Sequence, residues 1–247
     1  AVTRHARDRW IDYAFTQAVF HHERHWRPAL TQGRLDFGSD VRALSAVLQK
    51  RGPRDLLNTL MRLARSPDID TAARHGIFNS IASIGDPNEL RAIFNRDFHP
   101  NPASQAAAFV ALQNAATSRE VKPKDDLNEP LRAAIKSDND ELCIRALSLA
   151  SVWKLTDLSA DIRALAGGSK SQPVRIAAIL TLGQLGRDDS LFSDLLNDAE
   201  TAESLKLAAL NSMSRIDMNA AANFGAKMVA TGGNTSEVLV LFFSREG

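Results

Sequence analysis

The sequence QPVRIAAILTLGQLG, at residues 172–186, decides the fold. Its small and apolar residues recur at spacings of three and four, which places them on one face of a helix. Pro173 suits the first helical turn, where its missing N–H needs no partner. Gly186 stands where a helix commonly ends in a left-handed residue. The two alanines, Ala177 and Ala178, predict that a second helix packs closely against this one.

The same pattern occurs at six other places in the chain. Neighbouring copies are 32, 31, 40, 30, 31 and 33 residues apart, and a second helix is predicted after each of the first six copies. A period near thirty with two helices per repeat predicts an all-α chain folded as an α-solenoid. The copies begin near Val41, Ala73, Ser104, Ile144, Val174, Leu205 and Val238.

These segments resemble HEAT-type repeats, in particular the short variety whose first helix opens with a Val-Arg pair. The arginine position is occupied by Arg42, Arg74, Arg145 and Arg175, and by Lys206 in the fifth case, whereas Gln105 and Leu239 depart from the pattern. We expect one continuous domain, with a capping helix and loop at residues 1–38 and HEAT-like repeats at residues 39–247. The last repeat is incomplete.

The first 38 residues differ from the repeats. Residues 7–25 predict a helix with a wide apolar face, and Pro28 disfavours helix at the residue before it. A capping helix that covers the first repeat is the favoured interpretation, and a docking surface for another domain is the alternative. His21 and His25 have the i, i+4 spacing of two metal ligands, but Arg24 and Arg27 lie beside them, so we interpret them as a solvated helix end.

Composition excludes several classes of protein. The formal net charge of the 247 residues is +1, so nothing draws the whole chain to nucleic acid or anionic membranes. The single cysteine, Cys143, excludes an internal disulfide, a Cys-based zinc site and a CxxCH haem attachment. No apolar run approaches the roughly 20 residues that span a bilayer. We expect no catalytic, cofactor-binding or metal-binding residues.

The second helices are predicted at 54–65, 87–97, 126–136, 157–166, 190–198 and 218–230. In a solenoid these helices line the concave surface, where partners usually bind. Their polar faces mix both signs of charge and drift from basic to acidic along the chain. The charged insertion at 116–126 is equally consistent with a rim element and a mobile loop. The predicted partner surface consists of Arg54, Arg62, Arg65, Glu89, Arg91, Arg96, Asp157, Asp161 and Asp194.

Two stretches carry a closer resemblance. The run Asp8–Ala14, followed by Trp26–Leu30 and Gly33, resembles the start of the helical-repeat region in large envelope proteins of planctomycetes. The ending Phe242–Gly247 resembles a later repeat of that region. Those proteins combine a membrane-bound dehydrogenase-type propeller, HEAT repeats and a haem-binding cytochrome c domain. The resemblance implies a periplasmic or cell-envelope location, but no redox function passes to any residue of this chain because it has no CxxCH motif.

These observations favour a non-catalytic scaffold or protein-interaction module that is a segment of a larger multidomain envelope protein. Its partners would be another protein or neighbouring domains of the same parent chain. The alternative is a repeat-fold enzyme, such as a tetrapyrrole lyase-like protein, that uses the concave face. The last repeat stops after its first helix, so we also expect an exposed apolar end formed by Leu239, Leu241 and Phe242, with weak self-association there.

Overall fold

The computed structural model describes residues 9–31, 57–66, 71–168, 171–186, 189–232 and 235–243. Within these ranges the chain forms 14 α-helices and two 3₁₀ turns and has no strand, which confirms the prediction of an all-α protein. The helices are α1 (Arg9–His21), α2 (Glu23–Thr31), α3 (Leu57–Arg65), α4 (Thr71–Ile84), α5 (Pro87–Phe94), α6 (Pro102–Arg119), α7 (Asn128–Ile135), α8 (Asp140–Val152), α9 (Ser159–Gly167), α10 (Gln172–Gln184), α11 (Asp189–Asn197), α12 (Glu203–Ile216), α13 (Met218–Ala230) and α14 (Thr235–Phe243). The 3₁₀ turns are Arg96–Phe98 and Thr156–Leu158.

The observed helices follow the predicted repeat closely. Six of the seven predicted starts fall inside α4, α6, α8, α10, α12 and α14, and the start near Val41 lies outside the described residues. Helix α10 begins at Gln172 with Pro173 in its first turn, and Gly186 has a φ of 67°, so both ends of this helix agree with prediction. Asn139 caps α8 through its side chain, so the acidic run there is a helix start.

The first two helices differ from the prediction. A turn at His22 divides the expected helix of residues 7–25, and α2 then continues to Thr31 with Pro28 inside it. The indole Nε1 of Trp26 donates a hydrogen bond to the Val19 carbonyl over 2.8 Å. This contact ties α2 to α1 and supports a helical turn that the local proline rule disfavours.

Contacts divide the chain into two compact units, residues 1–127 and residues 128–247. In the first unit α4 packs against α3, α5 and α6. The rings of Phe94 and Phe109 lie 5.6 Å apart between α5 and α6, and Phe78 of α4 is fully buried. Buried aromatic rings from three helices therefore contribute to the core of this unit.

In the second unit the helices predicted as first helices pack on one another in chain order. Helix α8 contacts α10, α10 contacts α12, and α12 contacts α14, while α7, α9, α11 and α13 each contact a first helix. At two of these helix–helix contacts a side-chain hydroxyl group lies within hydrogen-bond distance of a backbone carbonyl of the other helix. Ser212 donates to the Ile179 carbonyl over 3.0 Å, and Thr181 lies 3.4 Å from the Leu147 carbonyl. These pairs are 33 and 34 residues apart, close to the spacing of the predicted helix starts.

Polar side chains also connect the first helices near their ends. The hydroxyl of Ser171 bonds to Asp140, and the amide of Gln172 bonds to Ser204. At the opposite end the Ser151 hydroxyl bonds to Gln184. Hydrogen bonds at both ends and in the middle fix the sliding register of α8, α10 and α12.

The tight packing of α10 can be tested with Ala178→Leu. Ala178 is completely buried, whereas Ala177 is only half-buried, so the expected burial of both alanines holds for one of them. We expect Ala178→Leu to lower the free energy of unfolding by roughly 1–3 kcal/mol because three extra carbon atoms must displace packed neighbours. Urea denaturation followed by circular dichroism measures this change. Ala177→Leu is the matched control and should cost less, and equal effects would contradict the assignment of the buried face.

Candidate interaction surface

Side chains bridge consecutive second helices of the second unit. Arg132 of α7 donates through Nε to Asp161 of α9 over 2.8 Å, and Lys136 lies 2.9 Å from the other oxygen of the same carboxylate. Asn128 bonds over 3.3 Å to Asp157, which lies in the 3₁₀ turn that leads into α9. Both the Arg132–Asp161 and the Asn128–Asp157 pairs are 29 residues apart, close to the predicted period near thirty. They form an ordered polar surface on α7 and α9.

Asp161 is the centre of this surface. The hydrogen bonds from Arg132 and then Lys136 lower the pKa of the Asp161 carboxyl, against a smaller opposing effect of burial. The side chain keeps 22% of its exposure, so solvent screens the pair and its contribution to stability is modest. Arg132 also bonds to Glu129 on its own helix. The network therefore holds its charged groups in fixed positions rather than burying them.

The surface continues from α9 to α11 with looser contacts. Arg163 lies 3.5 Å from the Ser190 hydroxyl, and both residues are exposed. Asp194 is exposed on α11 and forms no ion pair with the residues that the structure describes. Of the predicted partner residues in this unit, Asp161 lies in the network, Asp157 is bonded at its edge, and Asp194 stands apart.

Most of the predicted partner residues of the first unit form contacts within that unit. Arg65 stacks over the Phe98 ring at 4.6 Å from its centroid. Glu89 accepts a hydrogen bond from the Asp86 amide in a capping box, and Arg91 donates to the Asp126 carbonyl over 2.6 Å. Arg96 donates to the carbonyl of His99 over 3.0 Å. Arg62 is exposed, and Arg54 lies outside the described residues.

The insertion at 116–126 is attached to the body of the first unit. Arg119 donates to the carbonyls of Ala82 and Gly85 at the end of α4, over 2.5 and 2.9 Å. The amide of Lys124 donates to the Pro87 carbonyl over 3.0 Å, and Pro123 is buried. These contacts favour an attached segment over a mobile loop, because arginine side chains and backbone bonds hold both ends of it.

The arginine of the Val-Arg pair has a structural role that the pattern did not reveal. Arg74 donates to the carbonyls of Ala64 and Ser66, at the end of the preceding second helix α3, over 3.1 and 2.7 Å. Arg175 does the same to the Ala166 carbonyl of α9 over 3.1 Å. A cation here satisfies carbonyls that a helix end leaves without partners and complements the negative end of the helix dipole.

We expect Arg74→Met to lower the free energy of unfolding by about 2 kcal/mol. Arg74 is buried, and methionine would leave two carbonyls without a charged donor. The matched control is Arg145→Met, because Arg145 occupies the same motif position but pairs with Glu141 on its own helix, a contact worth under about 0.5 kcal/mol. Thermal unfolding of both variants checks the difference, and equal losses would mean that the cap is not what the motif provides.

His99 is the most strongly perturbed titratable group in the part of the chain that the structure describes. Its Nε2 donates to the Ile93 carbonyl over 2.7 Å, its Nδ1 lies 3.3 Å from the Ser104 hydroxyl, and its ring packs edge-on against Phe78. Burial lowers the pKa of His99 to about 4, with smaller contributions from Arg96 and Arg74 against the raising effect of the Ile93 bond. His99 is therefore a neutral structural residue at pH 7.

The two histidines singled out in the sequence lie on separate helices. His21 ends α1 and is exposed, whereas His25 lies in α2, where Arg24 donates to its Nε2 over 3.0 Å. No group of three or more His, Cys, Asp or Glu side chains is placed to hold a metal within the described ranges. None of the helices described in those ranges combines the length and apolar character needed to cross a membrane.

The apolar end of the chain packs on α13. Val238 is buried, Leu241 and Phe242 are half-buried, and Leu239 is 47% exposed. A methyl group at Gly225 would lie 2.9 Å from the Phe242 ring, so a glycine in α13 creates the space for α14. The described residues therefore show α14 packed on the preceding helix with one side exposed.

Comparisons of the sequence and the structure with protein-family models, with curated proteins and with solved structures found no match. The interpretation of the surface therefore depends on the chemistry of its own side chains.

Proposed function

We propose that this protein is a helical-repeat interaction module, an α-solenoid whose second helices carry the surface that binds a protein partner. The observation that carries the proposal is the set of bridges at repeat spacing between α7 and α9. The pairs Arg132–Asp161 and Asn128–Asp157 hold polar groups of both signs in fixed positions before any partner arrives. Pre-ordered side chains lose less entropy on binding, which favours recognition.

The solenoid part of the proposal is supported by the order of contacts in the second unit. Each first helix there packs on the next first helix in the chain. Polar pairs 31 to 34 residues apart connect them, such as Gln172–Ser204 and Ser212–Ile179. In a solenoid each repeat contacts only its neighbours, so removing one whole repeat should leave the others able to stack.

An in-register deletion tests this architecture. Removing residues 172–202 deletes α10 and α11 and places α12 where α10 packs on α8. We expect a chain that unfolds cooperatively and keeps its helical content per residue. The control removes residues 172–186 alone, which leaves α11 without its first helix and should aggregate or lose helicity. If the two deletions behave alike, the repeats do not act as exchangeable units and the solenoid proposal fails.

The binding role is tested by the position dependence of cross-linking. A photoreactive amino acid is placed at Glu129, Asp157 or Asp194 on the second helices, and at Gln184 or Arg215, exposed at the ends of first helices, as controls. We expect a discrete adduct in host cells only from the second-helix positions. That adduct should disappear in the double variant Asp157→Lys, Asp194→Lys. Adducts that form equally at all positions would contradict a dedicated surface.

The proposed setting is a larger envelope protein in which the module contacts a neighbouring domain. This part of the proposal rests on the resemblance of Asp8–Ala14 and Trp26–Leu30 to the helical-repeat regions of planctomycete envelope proteins. The alternative is a tetrapyrrole lyase-like enzyme, which is tested by adding a bilin and recording its visible spectrum. A shifted absorption band that Asp161→Asn abolishes would favour the enzyme over the interaction module.

A further inference from the structure

A cleft of about 400 Å³ opens in the second unit between the end of α11, the first turn of α12 and the last part of α13. This volume lies within the range of small-molecule sites. The cleft lies apart from the bridged surface on α7 and α9 and has a different chemistry. Its lining combines two lysines with apolar side chains, and that combination suits a small organic anion.

The ammonium groups belong to Lys206 of α12 and Lys227 of α13. Lys227 Nζ lies 5.3 Å from the centroid of the Phe224 ring, one helical turn before it. Within the described residues Lys227 has this contact and no ion pair. Its charge therefore stays available to a ligand while the aromatic ring holds the side chain over the cleft.

Lys206 is partly engaged already. Its Nζ lies 3.4 Å from the Ala199 carbonyl. Its charge also helps to lower the pKa of the Asp198 carboxyl, after the larger effects of the Thr201 hydroxyl and the Glu200 amide. Glu203 adds a carboxylate to the same wall. The wall at α12 is therefore mixed in sign, and Lys227 is the stronger anchor for an anion.

Three apolar side chains also line the cleft. The Phe224 ring and the Met228 thioether are half-buried there, and Leu196 closes the side at α11. An aromatic face and a polarizable thioether are good partners for a flat apolar group. A ligand that fits must therefore join one anionic group to one flat apolar group across a short distance.

We propose that this cleft binds a small organic anion, with a carboxylate or phosphate at Lys227 and Lys206 and a flat apolar group on Phe224 and Met228. This assignment goes beyond the interaction surface and does not depend on it. Because the site is open to solvent, binding weakens as ionic strength rises.

The test is a titration of the whole chain followed by ¹H–¹⁵N NMR. The probes are benzoate, phenyl phosphate, benzyl alcohol and acetate. We expect benzoate or phenyl phosphate to shift the amides of Phe224, Lys227 and Met228, with the stronger of the two identifying the anionic group. Benzyl alcohol lacks the charge and acetate lacks the ring, so both should bind at least about five-fold more weakly.

Lys227→Met keeps the length of the side chain and removes its charge, and it should raise the Kd of the better probe at least about five-fold. Lys122→Met is the matched control, because Lys122 is exposed and lies in the other unit. This variant should bind the probe with the same Kd as the unsubstituted protein. Lys227→Glu should weaken binding further, and circular dichroism checks that each variant is folded. The proposal is overturned if neither aromatic anion shifts these amides, if benzyl alcohol binds equally well, or if Lys227→Met leaves the Kd unchanged.

Discussion

Gly183→Ala should destabilise the protein, although helix propensity alone predicts the opposite. A Cβ at Gly183 would lie 2.5 Å from Ser212 Cβ and 2.7 Å from Ser212 Cα. Because the second of these atoms belongs to the backbone, the added methyl group must push α12 away from α10. We expect the free energy of unfolding to fall by roughly 1–3 kcal/mol.

Urea denaturation of the purified variant measures this loss, and Gly167→Ala provides the matched control. Gly167 is also helical, but a Cβ there meets no atom within 4 Å. That control should be neutral or gain up to about 1 kcal/mol, as alanine does in an open helical position. A Gly183→Ala variant as stable as the control would show that α10 and α12 do not approach each other this closely.

Acidification from neutral pH should weaken the protein through His99. Its pKa of about 4 in the folded chain lies below the ordinary value of 6.5, so between these values the unfolded chain binds the proton and the folded chain does not. The contribution of neutral His99 to the free energy of unfolding is fully present above pH 6.5 and is lost as the pH falls toward 4. The loss amounts to about 3 kcal/mol for this shift.

The measurement is the free energy of unfolding at pH 7 and pH 4 for the unsubstituted protein and for His99→Leu. Carboxylates also titrate at the lower end of this window, so the informative quantity is the difference between the two pH dependences. Between pH 7 and pH 4 we expect the free energy of unfolding to fall by about 3 kcal/mol more in the unsubstituted protein than in His99→Leu. His75→Gln is a second control. His75 is largely exposed, but its partial burial and then the charge of Arg74 also lower the pKa of its imidazole. Identical pH dependences for His99→Leu and the parent chain would show that His99 titrates normally.

Periodicity predicted the helices well because each repeat helix owes its position to an apolar face that the sequence displays directly. The starts near Val174 and Leu205 fall inside α10 and α12. The local proline rule failed at Pro28, where the Trp26–Val19 hydrogen bond favours a helical turn that local preferences oppose. A contact between helices is not visible in the spacing of apolar residues.

The surface was harder to predict than the fold. Charge alone identified Asp161 and Arg91 as candidates, but the partners that determine their roles are 29 and 35 residues away in the chain. For the same reason the sequence left two interpretations of the insertion at 116–126 open, a rim element and a mobile loop. Its anchors are backbone carbonyls, which every residue possesses, so no sequence signal marks the residues that Arg119 contacts.

The hydroxyl bonds between first helices bear on how such a chain can change over evolution. Ser212 and Thr181 each supply a donor, but the acceptors are the backbone carbonyls of Ile179 and Leu147. A substitution at either acceptor position keeps its carbonyl, so only one member of each pair is vulnerable to mutation. Neighbouring first helices can therefore change in sequence at the acceptor positions without losing the hydrogen bonds that align them.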